Sequence, residues 1–245
     1  MKILILAAGS GTRLGKETEK LPKSLIKINK KTILERQLEI FKKNRMENIT
    51  IIAGPNKEKF LDFDIEICDD TEHMQHEQLG SLISINKIFE EDVVVIFSDV
   101  IFDEKIFQKI IQVKCDFGIA LDKNWEGKYD GRTEHPISQA DLVEIQNGKI
   151  KKIKKNLQGQ NTSEFIGIMK FSSSGWRILI ELCKKLKEKH EGSFHSAKTF
   201  SNSYITDIIQ ELIELDYNVK PIFVDGEWLE IDTLQDIEIA SKKLN

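Results

Sequence analysis

The chain has 245 residues, with 36 Lys and Arg against 40 Asp and Glu, a formal charge of −4, and 40% apolar against 31% charged residues. That mix excludes a disordered or fibrous chain, and the near balance of charge excludes a general nucleic-acid binder, whose phosphate contacts need a strongly basic surface. Only five of the 36 cations are Arg (Arg13, Arg36, Arg45, Arg132 and Arg177), so each position that uses one is informative.

Residues 3–7 form a continuous apolar run that ends in glycine-rich sequence, as a buried parallel strand does. Residues 10–23 are polar and punctuated by Gly. Thr32 and Glu35 make a capping box that starts a helix with Ile33, Leu34, Leu38 and Phe41 on one face. Residues 49–53 read as a second buried strand stopped by Gly54-Pro55-Asn56, residues 65–67 as a short third, and 79–89 as an amphipathic helix. Residues 93–97 are the most hydrophobic strand and run straight into Ser98-Asp99. A helix over 104–113 and a strand over 117–121 complete an alternation that specifies a parallel sheet covered on both faces.

Beyond residue 121 the pattern changes. Residues 122–137 are polar, and the runs 142–145 and 149–153 flank Asn147-Gly148, a strong hairpin signal. A strand over 165–171, helices over 174–188 and 205–215, a strand over 219–224 and a helix over 236–244 follow. The expected fold class is α/β: a Rossmann-like, mostly parallel sheet flanked by helices, with a small antiparallel insertion in the C-terminal half. No Pro/Gly/Ser-rich linker separates the halves, so residues 1–245 read as a single domain. Cys68, Cys115 and Cys183 lie far apart with no C-x-x-C spacing, which fits buried thiols in a reducing cytoplasm better than a metal site or a disulfide framework. No apolar run approaches the roughly 20 residues of a membrane helix, so no membrane partner is expected.

The first strand is followed by Ala8-Gly9-Ser10-Gly11-Thr12-Arg13-Leu14. A Gly-rich turn after a strand lets the backbone approach a phosphate and aim N–H groups at it. The dinucleotide fingerprint fails because Leu14 stands where its third Gly belongs, and the P-loop fails because Glu17 follows Gly15-Lys16. On the glycines alone, an ordinary tight loop is an equal reading. Arg13 and, after Leu21-Pro22, Lys23 add a forked and a point-like cation that could grip one polyphosphate.

The run from Ala7 to Leu14 together with Pro22-Lys23 resembles the signature of nucleotidyltransferases that make nucleotide-sugars and related nucleotide-activated metabolites. The resemblance implies attack on the α-phosphorus of a nucleoside triphosphate, departure of pyrophosphate, and a Mg²⁺ ion. It implies Arg13 and Lys23 as catalytic cations, and Leu6, Ala7, Ala8, Gly9, Gly11 and Thr12 as nucleotide-binding residues. Gly15-Lys16-Glu17 departs from the basic-Pro-Leu sequence that members often carry before the Thr matched by Thr18. Asp99 and Asp232 match the family's metal ligands, with Ser98 where a Gly is usual. Either Asp also reads as a turn or cap residue, Asp232 as the cap of the last helix. Gln78-Leu79-Gly80-Ser81 resembles the base-reading turn, with Gln78 near the nucleobase and Gly80 admitting the nucleotide; a polar helix start is the other reading.

Trp125, Tyr129-Asp130-Gly131-Arg132 and His135-Pro136 concentrate aromatic and cationic residues in one long loop. With Ser163-Glu164-Phe165-Ile166-Gly167, Tyr204-Ile205-Thr206-Asp207 and Asp225-Gly226-Glu227-Trp228, the cluster resembles a branch of CTP-dependent cytidylyltransferases acting on phosphocholine, 2-aminoethylphosphonate or phosphoglutamine. That resemblance implies CTP and a small phosphorylated or phosphonylated acceptor as partners, in the making of cell-surface polysaccharide precursors. Residues 1–121 would bind the nucleotide and 122–245 the acceptor. The acceptor-binding residues would be Trp125, Tyr129, Arg132, Lys155, Glu164, Trp228 and Glu230. Lys155 belongs to a lysine run that also reads as a solvated strand face, the aromatics also read as loop packing, and His135 reads as a turn residue rather than a base. Arg132, in a chain that otherwise uses Lys, favours an acceptor with a carboxylate. Two alternatives stand beside this reading: a sugar 1-phosphate substrate with UTP or dTTP, and a catalytically silent nucleotide-binding protein. The sequence is compatible with a homo-oligomer and does not fix the oligomeric state.

Overall fold

In the computed structural model, which describes residues 1–9, 14–15, 21–157, 159 and 161–244, β1 (Lys2–Ala7) is buried along its whole length. Its period of two sends Leu4 and Leu6 into one apolar cluster and Ile3, Ile5 and Ala7 into another, so a single strand divides the interior into two layers. After β1 come the ribbon of β2 (Lys27–Ile28) and β3 (Lys31–Thr32), then α1 (Ile33–Lys43), β4 (Ile49–Ala53), β5 (Glu66–Asp69) and α2 (Gln78–Ser84). Next are β6 (Val93–Phe97), β7 (Val100–Phe102), α3 (Glu104–Gln112), β8 (Phe117–Asp122), and the hairpin of β9 (Asp141–Gln146) and β10 (Lys149–Lys155). The chain continues through β11 (Thr162–Phe171), α4 (Ser173–Lys189), α5 (Ile205–Glu214), β12 (Val219–Val224), β13 (Trp228–Glu230) and α6 (Leu234–Lys243).

β5, β4, β1 and β6 lie side by side, all parallel. The chain winds outward from β1 to β4 and β5 on one side and returns to β6 on the other, so the topological switch falls between β1 and β6. In open α/β sheets that is where ligands bind, beyond the carboxyl ends of the strands. β11 pairs antiparallel with β6 and β8, β12 adds parallel to β8, and the β9–β10 hairpin grows from the first residues of β11. The α/β architecture expected from the sequence is therefore the one found, with the antiparallel part in the second half. β11 shifts register between Phe165 and Met169. Gly167 sits in that shift at φ 74°, and a Cβ there would lie 2.7 Å from the Phe97 ring, so only Gly lets the strand turn beneath Phe97.

Helices α2, α4 and α5 cover the Leu4/Leu6 face, with Trp176 as its largest fully buried side chain, and α1 and α3 cover the other. Several boundaries differ from the sequence reading, among them the start of β11, which lies at Thr162 rather than Phe165. The helix expected over 79–89 stops at Ser84, because Asn86 takes the left-handed conformation (φ 41°) and Phe89 turns to pack on Trp176 at 5.8 Å. The third strand runs to Asp69. The last helix starts at Leu234 because Thr233, not Asp232, caps it: the Thr233 hydroxyl accepts from the Asp236 N–H and the Asp236 carboxylate accepts from the Thr233 N–H. Among the described residues no helix is long and apolar enough to cross a membrane.

Candidate active site

At the switch point the ends of β1 and β6 open onto a cleft of about 820 Å³. Leu6, Ala8 and Gly9 line it from β1 and the turn that follows, and Phe97, Ser98 and Asp99 from β6. Ala7, one residue out of phase, packs into the opposite apolar layer, so the structure does not bring its side chain to the cleft. Gly11, Thr12 and Arg13 lie outside the described residues.

Lys23, Asp99 and Asp232 meet on the cleft wall. Pro22 precedes a short 3₁₀ turn, Lys23–Leu25, whose Ser24 and Leu25 are buried, and this anchors the base of Lys23. β13 pairs antiparallel with β7, opposing Glu230 to Val100, and the Ile231 N–H donates to the Asp99 carbonyl at 3.0 Å. Residues far apart in sequence are thereby sewn together at the backbone. Lys23 Nζ donates to Asp99 Oδ2 at 2.7 Å and also to Asp232 Oδ1. Burial works against the Lys23 charge, but Asp99, Asp232 and Glu230 outweigh it and raise its pKa above the ordinary lysine value. Burial pushes Glu230 well above the carboxylate range, and the neighbouring charges of Asp232 and Asp99 add to the push. His135 stands in the same cluster, with Nδ1 3.4 Å from Asp232 Oδ2 and Nε2 3.7 Å from Glu230 Oε2. Asp99 Oδ1 is buried with no hydrogen-bond partner. Two carboxylates converging on one cation, one of them with an unused buried oxygen, suit a hard divalent ion such as Mg²⁺, which takes oxygen ligands.

On the other side of Glu230 the cleft is lined by Trp228, Glu164, Lys155, Lys154 and Asp141. Trp228 and Glu230 share a strand face, and the Trp228 indole N–H is fixed by Asp122 Oδ2 at 2.8 Å. Burial pushes Glu164 up to about 8 and Asp141 up to about 6. Trp125 and Tyr129 do not line the cleft. They pack edge to face against each other, 5.9 Å apart, over Ala140 and Leu142, and the Tyr129 hydroxyl donates to Glu164 from behind. Arg132 is also turned away: its Nε donates to Asp236 Oδ1 at 2.8 Å, and its Nη2 to the Glu230 carbonyl at 3.3 Å. The expectation that Arg132 greets an acceptor carboxylate therefore fails, because the buried guanidinium already has a carboxylate in Asp236, the capping-box partner of Thr233 in α6. Burial pushes Asp236 up, but the hydrogen bonds from His135 and Arg132 outweigh it and hold it below the carboxylate range.

At the opposite end Gln78 begins α2 and lines the cleft, held there by backbone bonds from Glu77 and Leu79 to Ser201 and Ser203. At Gly80 a Cβ would come within 2.2 Å of His76 Cγ, so its smallness seats the imidazole. His76 Nε2 lies 3.1 Å from the Oδ1 of buried Asp70, and His73 lines the cleft beside it. Sequence reading passed over His73, His76 and Asp141. Two of five histidines within four positions after a strand end was the signal available for the first two. Gly80→Ala is expected to destabilise the protein by about 1–3 kcal/mol, the usual cost of overpacking. Thermal denaturation checks this. Gly127→Ala, with nothing near its Cβ, should leave Tm unchanged, and adding His76→Ala to Gly80→Ala should restore most of the loss.

Geometry and sequence converge here on one class of protein. A family profile described as the MobA-like NTP transferase domain matches residues 3–136, more than half of the chain, and the chain belongs to that family of nucleotidyltransferases. It is 28% identical to the CTP:phosphoglutamine cytidylyltransferase of Campylobacter jejuni over 99% of this chain and 100% of that one. It is 25% identical to the 2-aminoethylphosphonate cytidylyltransferase of Lancefieldella rimae over 89% of this chain and 83% of that one. Among solved structures, the CTP:phosphocholine cytidylyltransferase of Streptococcus pneumoniae matches with a TM-score of 0.76 at 20% identity, over 100% of this chain and 99% of that one, a likeness of fold.

Proposed function

We propose that the chain is a cytidylyltransferase that moves CMP from CTP to a phosphate or phosphonate oxygen of a small acceptor. The observation that carries this reading is the meeting of Lys23, Asp99 and Asp232 at the switch point, beside the end of β1 where a triphosphate would lie. The relatives named above, two of them similar over most of their length, support CTP as the donor. The acceptor oxygen attacks the α-phosphorus in line; the new P–O bond forms as the bond to the β-phosphate oxygen breaks, and pyrophosphate carries off the electron pair. The acceptor oxygen is already anionic, so no base is required.

Lys23 supplies a cation to the α-phosphate and the incoming oxygen, and its buried surroundings strengthen that interaction. Arg13 would hold the leaving pyrophosphate. Asp99 and Asp232 would hold Mg²⁺, which when bound neutralises triphosphate charge. Most of the rate comes from positioning and charge stabilisation, as expected for phosphoryl chemistry with little covalent work for the protein.

A pyrophosphate-release screen tests the reading: four nucleoside triphosphates against phosphorylated and phosphonylated acceptors, with glucose 1-phosphate alongside. CTP with a small phospho-acceptor is expected to give the fastest release. Background release from CTP with every acceptor overturns the assignment.

A further inference from the structure

Resting on the cytidylyl-transfer reading, we propose that Glu164 recognises a primary ammonium on the acceptor and selects it over a quaternary one, with Tyr129 as the positioning residue behind it. Glu164 lines the cleft although its residue is only 2% exposed. Its Oε1 takes the Tyr129 hydroxyl, and its Oε2 is buried without a partner. A buried acceptor left unpaired is costly and rare in native proteins, so the site is incomplete until a guest donates to it. Tyr129 cannot swing to serve both oxygens, because Trp125 packs on its edge and the Arg132 guanidinium lies 4.9 Å over its ring.

The charge around Glu164 narrows the guest. Asp141 and Glu230 line the same part of the cleft, and Asp122 lies close enough to disfavour ionisation of Glu164. Among the described residues, the Arg132 guanidinium that eases the Glu164 charge is itself bound to Asp236. Lys154 and Lys155 enter from β10 and suit the acceptor's phosphate. A neutral hydroxyl would give Oε2 a donor but nothing against the carboxylates. A trimethylammonium would supply charge but no N–H, leaving Oε2 unpaired behind three methyl groups. A primary ammonium does both. The same geometry removes the case for an acceptor carboxylate that Arg132 suggested.

The experiment measures kcat and KM for pyrophosphate release from CTP with 2-aminoethylphosphonate, phosphoethanolamine and phosphoglutamine as primary-ammonium acceptors, phosphocholine as the quaternary one, and 2-hydroxyethylphosphonate as the uncharged one. The best primary-ammonium acceptor is expected to exceed phosphocholine and the hydroxyl compound by about tenfold or more in kcat/KM, the scale of one charge-assisted hydrogen bond. Glu164→Gln should raise KM for that acceptor by about tenfold with a smaller change in kcat, and raise KM for phosphocholine by less, since the quaternary acceptor loses charge attraction but no N–H bond. Tyr129→Phe should move the same ratio in the same direction by less, which covers the case of a Glu164 variant that fails to fold. A merely structural Glu164 would lower all acceptors alike, and that result overturns the proposal. So does phosphocholine or the hydroxyl compound matching the primary amines, an outcome that leaves CMP transfer intact. Silence with CTP throughout, beside release from UTP or dTTP with glucose 1-phosphate, overturns the cytidylyl reading and this proposal together.

Discussion

Asp99→Asn is expected to cut turnover by about 10²–10³-fold, the range seen when one group that stabilises transition-state charge is removed. Asp99 brings one oxygen to Lys23 and keeps a second, buried oxygen without a partner. The amide substituted there can no longer offset a cation. Lys23→Ala is expected to lose a comparable factor for a different reason, and metal binding separates the two. Lys23 Nζ bonds both Asp99 and Asp232, so this ammonium and a divalent ion are alternatives for the same carboxylates. With the ammonium gone, the two carboxylates lose the cation they share, and their repulsion favours any cation that enters. Mn²⁺ titration of the protein without nucleotide should therefore show weaker binding in Asp99→Asn and tighter binding in Lys23→Ala than in the parent. Equal Mn²⁺ affinity in all three proteins would remove Asp99 from the metal role, whatever happens to turnover.

The contrast between these two variants also marks what the sequence could and could not carry. Asp99 was legible because it ends the most apolar strand, and strand ends are where an α/β sheet presents ligands. The capping box of α1 formed as read, with Glu35 N–H on the Thr32 hydroxyl at 3.0 Å and Thr32 N–H on the Glu35 carboxylate at 2.6 Å. Asn147 and Gly148 both adopt positive φ, 52° and 75°, as their hairpin requires. These features rest on local pattern. Arg132 did not, because its rarity in a lysine-rich chain says nothing about which carboxylate it meets 104 positions away. The same holds for His135, which looked like a turn residue before a Pro and stands within reach of Asp232 and Glu230. Trp125 and Tyr129 were correctly seen as a cluster, but a cluster can face inward, and these support Glu164 instead of lining the cleft. Long-range pairing decides such cases, and composition does not encode it.

Glu164→Gln is expected to stabilise the protein, and to do so more as pH rises. Burial pushes the Glu164 carboxyl from 4.5 up to about 8, against the opposing hydrogen bond from Tyr129. Between those two values the unfolded chain has released this proton while the folded protein keeps it. The folded state then binds more protons, so stability falls as pH climbs from about 4.5 toward 8 and levels off above. At one pKa unit to about 1.4 kcal/mol, the contribution is on the order of a few kcal/mol by pH 8. Gln carries no charge to bury and keeps an oxygen for the Tyr129 hydroxyl, so its denaturation midpoint should match the parent near pH 5 and exceed it at pH 8.5. Urea unfolding of both proteins across that range measures it, and parallel curves would mean that Glu164 does not titrate there. A side chain that lowers stability where the enzyme works is a feature of sites shaped for binding rather than for the fold. An ammonium guest beside the ionised carboxylate would offset that loss. Adding the preferred acceptor to the parent protein should therefore narrow the gap between parent and variant at pH 8.5, while phosphocholine should leave it open.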